Sequence, residues 1–271
     1  MPDHPLQERA IGDGIVAWRE AGTGPPLVLL HGIGSGSASW QAQLDQLSRR
    51  FRVLAWDAPG YGGSSPLARQ EPLASDYAAV VHAWLAALGV SEPVVVGHSL
   101  GAIVAAAWAA RADAHARGLL LASPARGYGK AAPEVRSAKY RERIELVERL
   151  GIEGLARERS AGLCAPGAPQ ATVARVAAVM ARATAGGYAQ AAYMLAHDDL
   201  ATHLRGAPRP LAVLCGEFDR VTPPAGCAEV AADCSCPFVT LPGVAHACYV
   251  EDGEGFNRAL CAALDAAEGT A

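Results

Sequence analysis

A serine flanked by glycines stands where a short apolar segment gives way to an alanine-rich one. Residues 97–101 read Gly-His-Ser-Leu-Gly; they follow the apolar residues 93–96 and lead into residues 100–111, which have helical character. This spacing is typical of a sharp strand-to-helix turn that presents a serine hydroxyl at the edge of a parallel sheet. The amides at the start of the helix would point to where an oxyanion forms. The pattern predicts that Ser99 is a nucleophile.

A serine nucleophile needs a general base, and the base needs an acid that fixes its tautomer. In this kind of turn the partners follow the serine in the order Asp or Glu, then His. Asp219 comes just after the apolar residues 211–215, and His246 comes just after residues 238–241. Both side chains are therefore expected at the carboxyl ends of strands, the edge that Ser99 occupies. We predict that Asp219 is the acid and His246 the base.

Other imidazoles and carboxylates compete for these two roles. His98 is adjacent to Ser99, and neighbouring side chains diverge on a tight turn, so a packing role is expected for it. Glu217 lies one residue from a strand end, and Asp57 precedes the serine, which is the wrong order for the acid. The histidines expected in helices or in the long helical stretch are His82, His115, His197 and His203.

Apolar segments alternate with amphipathic ones along much of the chain. Strands are predicted at residues 14–20, 26–30, 52–56, 93–96, 117–122, 211–215 and 238–241. Helices are predicted at residues 39–49, 76–88, 100–111, 136–150, 170–196, 226–232 and 254–267. This alternation predicts an α/β fold with a mostly parallel sheet that is covered on both faces.

The alternation stops between residues 124 and 206, where only helices are predicted. An insertion of this kind is expected to form a lid over the carboxyl edge of the sheet, where ligands bind in open α/β folds. The predicted organisation is therefore a core made of residues 1–123 and 207–271, and a helical cap made of residues 124–206.

The predicted cap is basic. It carries twelve Lys and Arg against eight Asp and Glu, a net charge of +4, in a chain whose total is −4. A basic cap over an acidic body favours an anionic substrate, for which Arg126, Lys130 and Arg182 are candidates because the sequence shows no evident ion-pair partners for them. The alternative is that residues 136–149 form a solvated helix with ion pairs along its own surface.

Composition excludes several classes of protein. The apolar runs are too short to span a membrane, and residues 1–5 lack the features of a signal peptide, so a cytoplasmic location is predicted. The seven cysteines are an odd number without a secretory signal, which predicts reduced thiols and no zinc site. The negative charge and the lack of a basic stripe disfavour nucleic acid. The oligomeric state is left open.

Five motifs together resemble the α/β-hydrolase superfamily. They are His31-Gly32, Asp57-x-x-Gly60-x-Gly62-x-Ser64, Gly97-x-Ser99-x-Gly101, Gly216-Glu217-x-Asp219 and Gly243-x-x-His246. The resemblance implies the α/β-hydrolase fold, with an α-helical lid inserted after the sixth strand. It also implies acyl transfer through a Ser-His-Asp triad, with an oxyanion hole formed by the backbone amides of Ile33 and Leu100. No metal or organic cofactor is required.

Within the superfamily the chain looks most like the 3-oxoadipate enol-lactonase type, which hydrolyses a small carboxylated lactone in aromatic catabolism. A second neighbour is the group that cleaves carbon–carbon bonds in ring-fission products, in which Gly-x-Gly-Pro-Gly and a Trp soon after the catalytic His are usual. Here residues 32–36 read Gly-Ile-Gly-Ser-Gly, and His246 is followed by Ala-Cys-Tyr. A cofactor-free perhydrolase or haloperoxidase uses the same triad, and a non-catalytic binding scaffold is a further alternative.

The resemblance thus implies a serine hydrolase that acts on a small carboxylic ester or lactone. Aromatic and sulfur side chains of the predicted cap are candidates for the wall of its substrate pocket, with one tryptophan beside the glycine-rich loop. These candidates are Tyr128, Tyr188, Tyr193, Met194 and Trp40.

Overall fold

In the computed structural model, which describes residues 4–269, the chain forms an eight-stranded sheet. The strands are β1 (Leu6–Ile11), β2 (Gly14–Ala21), β3 (Pro26–Leu30), β4 (Arg52–Trp56), β5 (Val94–His98), β6 (Gly118–Ala122), β7 (Ala212–Gly216) and β8 (Phe238–Leu241). Their order across the sheet is β1-β2-β4-β3-β5-β6-β7-β8. The pairs that involve β1 or β2 are antiparallel, and all the pairs from β4 to β8 are parallel. The mostly parallel sheet predicted from the sequence is confirmed.

Helices fill the connections between these strands. They are α1 (Gln41–Leu47), α2 (Ala74–Ala87), α3 (Leu100–Ala109), α4 (Pro133–Arg159), α5 (Gln170–Met180), α6 (Ala185–His197), α7 (Leu200–Leu204), α8 (Pro224–Asp233), α9 (Cys248–Glu251) and α10 (Gly253–Glu268). Short 3₁₀ turns precede α1 and follow α4. None of these helices is both long enough and apolar enough to cross a membrane.

Both faces of the sheet are covered, because alternate strand residues point to opposite sides. Val28 and Leu30 of β3 pack in one core cluster with residues of α2, α3 and α8. Leu27 and Leu29 of the same strand pack in a second cluster with residues of α1 and α10. The central strands β5, β6 and β7 are buried along their whole length, which is why they read as continuous apolar runs rather than alternating ones.

Between β6 and β7 the described chain contains helices α4 to α7 and no strand. We call residues 124–206 the helical segment. The first helix predicted there continues to Arg159, across a break at Gly151, whose φ of 65° and ψ of 171° are not helical. The second predicted helix is divided into α5 and α6, because Thr184 is extended and caps α6 by accepting a hydrogen bond from the Gly187 amide (2.9 Å).

The strand β1 lies outside the predicted elements, because the first strand predicted from the sequence is residues 14–20. Its sequence, Leu-Gln-Glu-Arg-Ala-Ile, shows no apolar alternation, and four of its six residues are exposed. It lies at the edge of the sheet and pairs with β2 alone. Polar residues of this kind are usual on edge strands, so the hydrophobic pattern contained no signal for it.

Candidate active site

Ser99 occupies the turn between β5 and α3. Its backbone has a positive φ, which residues other than glycine rarely adopt. Its φ is 53° and its ψ is −117°. Backbone hydrogen bonds fix this conformation: the Ser99 amide donates to the Ala122 carbonyl (2.9 Å), and the Ala125 amide donates to the Ser99 carbonyl (3.1 Å). Strain that the surrounding structure maintains in this way is concentrated at functional sites.

The glycines around the serine are required by close backbone contacts. A Cβ on Gly97 would lie 2.5 Å from the carbonyl oxygen of Gly101 and 2.6 Å from the Cα of Ala102. A Cβ on Gly32 would lie 2.7 Å from the Cβ of Ser99. The G-x-S-x-G spacing therefore has the steric origin that the sequence suggested.

The carboxyl ends of β7 and β8 bring an acid and an imidazole together. His246 Nδ1 lies 2.8 Å from Asp219 Oδ2, and both side chains are buried. Thr222 completes the group, because its hydroxyl donates to Asp219 Oδ2 (2.9 Å) and its amide donates to Asp219 Oδ1 (2.9 Å). The hydrogen bond from His246 Nδ1 to Asp219 Oδ2 orients the imidazole and selects the tautomer that carries its proton on Nδ1.

The surroundings of Asp219 keep its carboxylate ionised. Burial raises its pKa, but the hydrogen bond and charge of His246, together with the Thr222 amide, outweigh burial and lower the pKa to about 2. The rival acids lie elsewhere. Glu217 accepts a hydrogen bond from the Gly243 amide (2.9 Å), and Asp57 accepts one from the Ser37 amide (2.7 Å).

His98 makes a contact that the sequence did not predict. Its Nε2 donates to the backbone carbonyl of His246 across 2.8 Å, and the two rings lie 4.8 Å apart. Burial, followed by the proximity of His246, lowers the pKa of His98 to about 3. The ring is therefore neutral at pH 7, and it holds the backbone of His246 as well as packing against Tyr249. The packing role predicted for His98 is thus incomplete.

Two backbone amides next to the serine turn have no acceptor among the residues that the structure describes. Within residues 4–269 neither the Ile33 amide nor the Leu100 amide donates to a backbone or side-chain group. Leu100 is the first residue of α3, where amides are unpaired by helix geometry. Ile33 precedes Gly34, which has a φ of 71° and turns the loop. Such amides suit an anionic oxygen.

A cavity of about 380 Å³ opens beside the serine turn. Its wall contains Ser99 and His246, and it is completed by the loop after β6, the loop after β7 and the helical segment. The predicted site residues that line it are Ile33, Ser99, Arg126, Tyr128, Tyr188 and His246. The volume is that of a site for a small molecule.

Five predicted contact residues are not brought to this cavity. Tyr193 stacks on His197 with ring centroids 4.0 Å apart. Trp40 is fully buried and stacks on Tyr249 with ring centroids 3.9 Å apart, and Met194 is fully buried in the core. Arg182 contributes its carbonyl to the Gly62 amide (3.2 Å) and does not line the cavity. Lys130 points to Asp199, 2.8 Å away. Aromatic or basic identity alone carries no information about such directions.

The expectation that Arg126 and Lys130 lack partners is wrong. Arg126 forms an ion pair with Glu229 of α8 (2.5 Å), and Lys130 forms one with Asp199. Both partners are distant in the sequence and become neighbours only through the fold. Conversely, Arg143 and Arg159 of α4 line the cavity. Neither is among the predicted contact residues: a solvated surface is the alternative interpretation of residues 136–149, and Arg159 lies beyond the helix predicted at residues 136–150.

Comparisons with known proteins show which family the chain belongs to. A family model described as alpha/beta hydrolase fold matches residues 25–253. Among curated relatives, an uncharacterised protein of Mycobacterium tuberculosis is 38% identical over 100 residues, which are 37% of this chain and 29% of that protein. The chain therefore spans less than a third of the length of that relative.

Two solved structures resemble nearly the whole chain. An esterase from Thermogutta terrifontis with malate bound is 26% identical, with a TM-score of 0.85 over 96% of this chain and 98% of that one. The enol-lactonase from Burkholderia xenovorans is 22% identical, with a TM-score of 0.85 over 96% of this chain and all of that one; this likeness shows the fold alone. The family match and the strand order lead to one conclusion: the chain belongs to the α/β-hydrolase fold family.

Proposed function

We propose that this chain is a serine hydrolase that cleaves a small carboxylic ester or lactone through Ser99, His246 and Asp219. The observation that carries the proposal is the hydrogen bond between His246 Nδ1 and Asp219 Oδ2 (2.8 Å), behind a cavity wall that contains both Ser99 and His246. An imidazole oriented by a buried carboxylate, beside a strained serine, is the arrangement that activates a hydroxyl.

In the first step the Ser99 oxygen attacks the carbonyl carbon while His246 Nε2 accepts the hydroxyl proton. The amides of Ile33 and Leu100 stabilise the negative oxygen that results, since they have no competing acceptor within residues 4–269. The bond to the leaving oxygen then breaks, and His246 gives its proton to that oxygen. An alcohol leaves, or the ring opens if the substrate is a lactone, and an acyl-enzyme remains.

In the second step water replaces the alcohol. His246 takes a proton from the water, whose oxygen attacks the acyl carbon, and the tetrahedral oxygen again faces the amides of Ile33 and Leu100. The bond to the Ser99 oxygen breaks and His246 returns the proton to Ser99. Asp219 stays ionised throughout, because its pKa of about 2 lies far below neutral pH.

We further propose that the helical segment is a cap on a core formed by residues 1–123 and 207–271. Its support is that Tyr188 of α6 and Leu155 of α4 contribute to the wall of the cavity that Ser99 also lines. The cavity of about 380 Å³ favours a small substrate. The esterase of Thermogutta terrifontis holds malate, a small carboxylate, in a similar fold.

The proposal is tested with p-nitrophenyl esters from acetate to decanoate, hydrolysed by the wild type and by Ser99→Ala. We expect turnover that falls as the acyl chain lengthens, and a loss of several powers of ten in kcat in the variant. Gly186→Ala, at an open position in α6, serves as the matched control with unchanged kinetics.

Labelling with a fluorophosphonate separates the alternatives. A wild type that reacts at Ser99 but hydrolyses no ester would support carbon–carbon cleavage or perhydrolysis by the same triad. A folded wild type that neither reacts with the fluorophosphonate nor hydrolyses any ester would contradict the proposal. A non-catalytic binding scaffold would then be the remaining interpretation. Hydrolysis that persists in Ser99→Ala would also contradict it.

A further inference from the structure

The cavity beside Ser99 carries positive charge and no carboxylate. Arg126, Arg143 and Arg159 line it, and no Asp or Glu of the described chain is among its lining residues. Asp219 lies behind His246, hydrogen-bonded to the ring, and does not reach the cavity. An electropositive wall of this kind raises the local concentration of anions.

The three arginines differ in whether their charge is neutralised. Arg126 is paired with Glu229 (2.5 Å). No carboxylate within residues 4–269 lies within 4.0 Å of the guanidinium of Arg143 or Arg159. Other cations of the helical segment are paired in the same manner as Arg126: Lys130 with Asp199, Lys139 with Glu142 and Arg149 with Glu158.

Arg143 and Arg159 act on the same point of the cavity wall. The charges of both lower the pKa of the Tyr188 hydroxyl, although burial has the larger, opposite effect. Tyr188 itself lines the cavity. Arg143 is also held in place, because its Nη1 donates to the carbonyl of Lys139 (3.0 Å). Two guanidinium groups and a phenol thus line the same cavity.

We propose that Arg143 and Arg159 bind a second carboxylate of the substrate, one that does not take part in the reaction. The preferred substrates are then half-esters of small dicarboxylic acids, or lactones that carry a free carboxylate. Guanidinium groups match the planar, two-oxygen geometry of a carboxylate, and the Tyr188 hydroxyl can donate to the same group. This inference rests on the proposed serine hydrolase and names its substrate class.

The first test compares monomethyl glutarate with dimethyl glutarate, which share an acyl chain and differ in one negative charge. We expect the wild type to favour the monoester by at least about 10-fold in kcat/KM per ester group. Arg143→Gln and Arg159→Gln should each lower kcat/KM for the monoester by about 10- to 100-fold, as expected for a lost hydrogen bond to a charged group. The diester should change by less than about 3-fold with either variant.

Matched variants separate binding from structure. Arg141→Gln removes a charge from an exposed position of α4 that does not line the cavity, and it should leave both esters unchanged. Arg143→Lys and Arg159→Lys keep the charge but lose the planar fork, so they should recover part of the monoester activity. A wild type that prefers the diester, or variants that lower both rates equally, would overturn the proposal.

A second test needs no catalysis. Calorimetry measures the binding of glutarate to Ser99→Ala, and we expect Kd to rise by about 10-fold or more when Arg143→Gln is added. Arginine-dependent binding without any ester hydrolysis by the wild type would contradict the proposed reaction and retain the carboxylate site. If hydrolysis depends on Ser99 but glutarate does not bind, or binds equally well without Arg143 and Arg159, the proposed reaction is retained and the carboxylate site is contradicted.

Discussion

The ring of His98 donates a hydrogen bond to the backbone carbonyl of His246 across 2.8 Å. The residue that precedes the proposed nucleophile therefore holds the backbone of the proposed base. Asp219 fixes the His246 ring from the other end, through Nδ1. The orientation of His246 is thus determined at two points, one on its side chain and one on its main chain.

Replacing His98 by Phe should slow ester hydrolysis, because the His246 carbonyl loses its donor. We expect kcat to fall by about 10-fold with little change in KM, since misplacing a catalytic group affects the chemical step. The free energy of unfolding should fall by about 1–3 kcal/mol, the penalty for a buried unpaired acceptor. His98→Gln, which can restore a donor, should recover part of kcat. Equal kcat in the Phe variant and the wild type would show that His98 only packs.

The depressed pKa of Asp219 makes the stability of the protein depend on pH in the acid range. A carboxyl group whose pKa is lower in the folded state stabilises the protein above its unfolded pKa and loses this effect as pH falls. With a folded value of about 2 against the usual 3.8, the contribution is about 2 kcal/mol near neutral pH.

Urea unfolding of the wild type and of Asp219→Asn tests this at pH 7 and pH 3. The gap in unfolding free energy should shrink by about 1 kcal/mol at the lower pH, because Asp219 is then mostly protonated in the unfolded chain but still ionised in the folded one. A gap that stays constant between the two pH values would mean that the carboxylate is not stabilised by His246 and Thr222.

Two glycines with opposite surroundings provide a steric test of the serine turn. Gly97→Ala should lower the unfolding free energy by about 1–3 kcal/mol and reduce activity, because its Cβ would meet backbone atoms that cannot move aside. Gly186→Ala, in α6 and with no atom within 4 Å of the new Cβ, should be neutral or stabilising by up to about 1 kcal/mol. Comparable destabilisation of both variants in urea would refute this explanation.

The thiol in the cavity wall should be unreactive. All seven cysteines are free. The hydrogen bond with Cys215 and burial raise the pKa of Cys227, which lines the cavity, and burial raises the pKa of Cys164 and Cys236 to about 11. Since the thiolate is the reactive form, iodoacetamide at pH 7.5 should leave activity intact over hours, with labelling followed by mass spectrometry. Rapid labelling of Cys227 would contradict this.

Much of the fold could be predicted because its signals are local. The strands at Pro26–Leu30, Arg52–Trp56 and Phe238–Leu241 have the predicted bounds, since buried parallel strands are short apolar runs. The strand Leu6–Ile11 could not be found from its composition. It is a strand because it pairs with Gly14–Ala21. The order of the strands follows from packing that no single segment encodes.

The candidate site also has a part that could be predicted from local sequence and a part that could not. Ser99, Asp219 and His246 can be proposed from the sequence, because a turn motif and the ends of two strands bring them to one edge. The cavity wall could be predicted only in part, since it depends on which side of a helix faces inward. Arg126 and Arg143 both line the cavity, but Arg126 is neutralised by Glu229, a residue more than a hundred positions away.

The break in α4 at Gly151 has a consequence for selectivity. Along an unbroken helix the sixteen positions from Arg143 to Arg159 would separate their backbones by about 24 Å, farther than a compact cavity of about 380 Å³ extends. The left-handed φ of 65° redirects the chain between them, so that both reach one wall. Recognition of a second negative charge would therefore depend on a residue that has no side chain, and homologous chains with both arginines but a continuous helix should not share it.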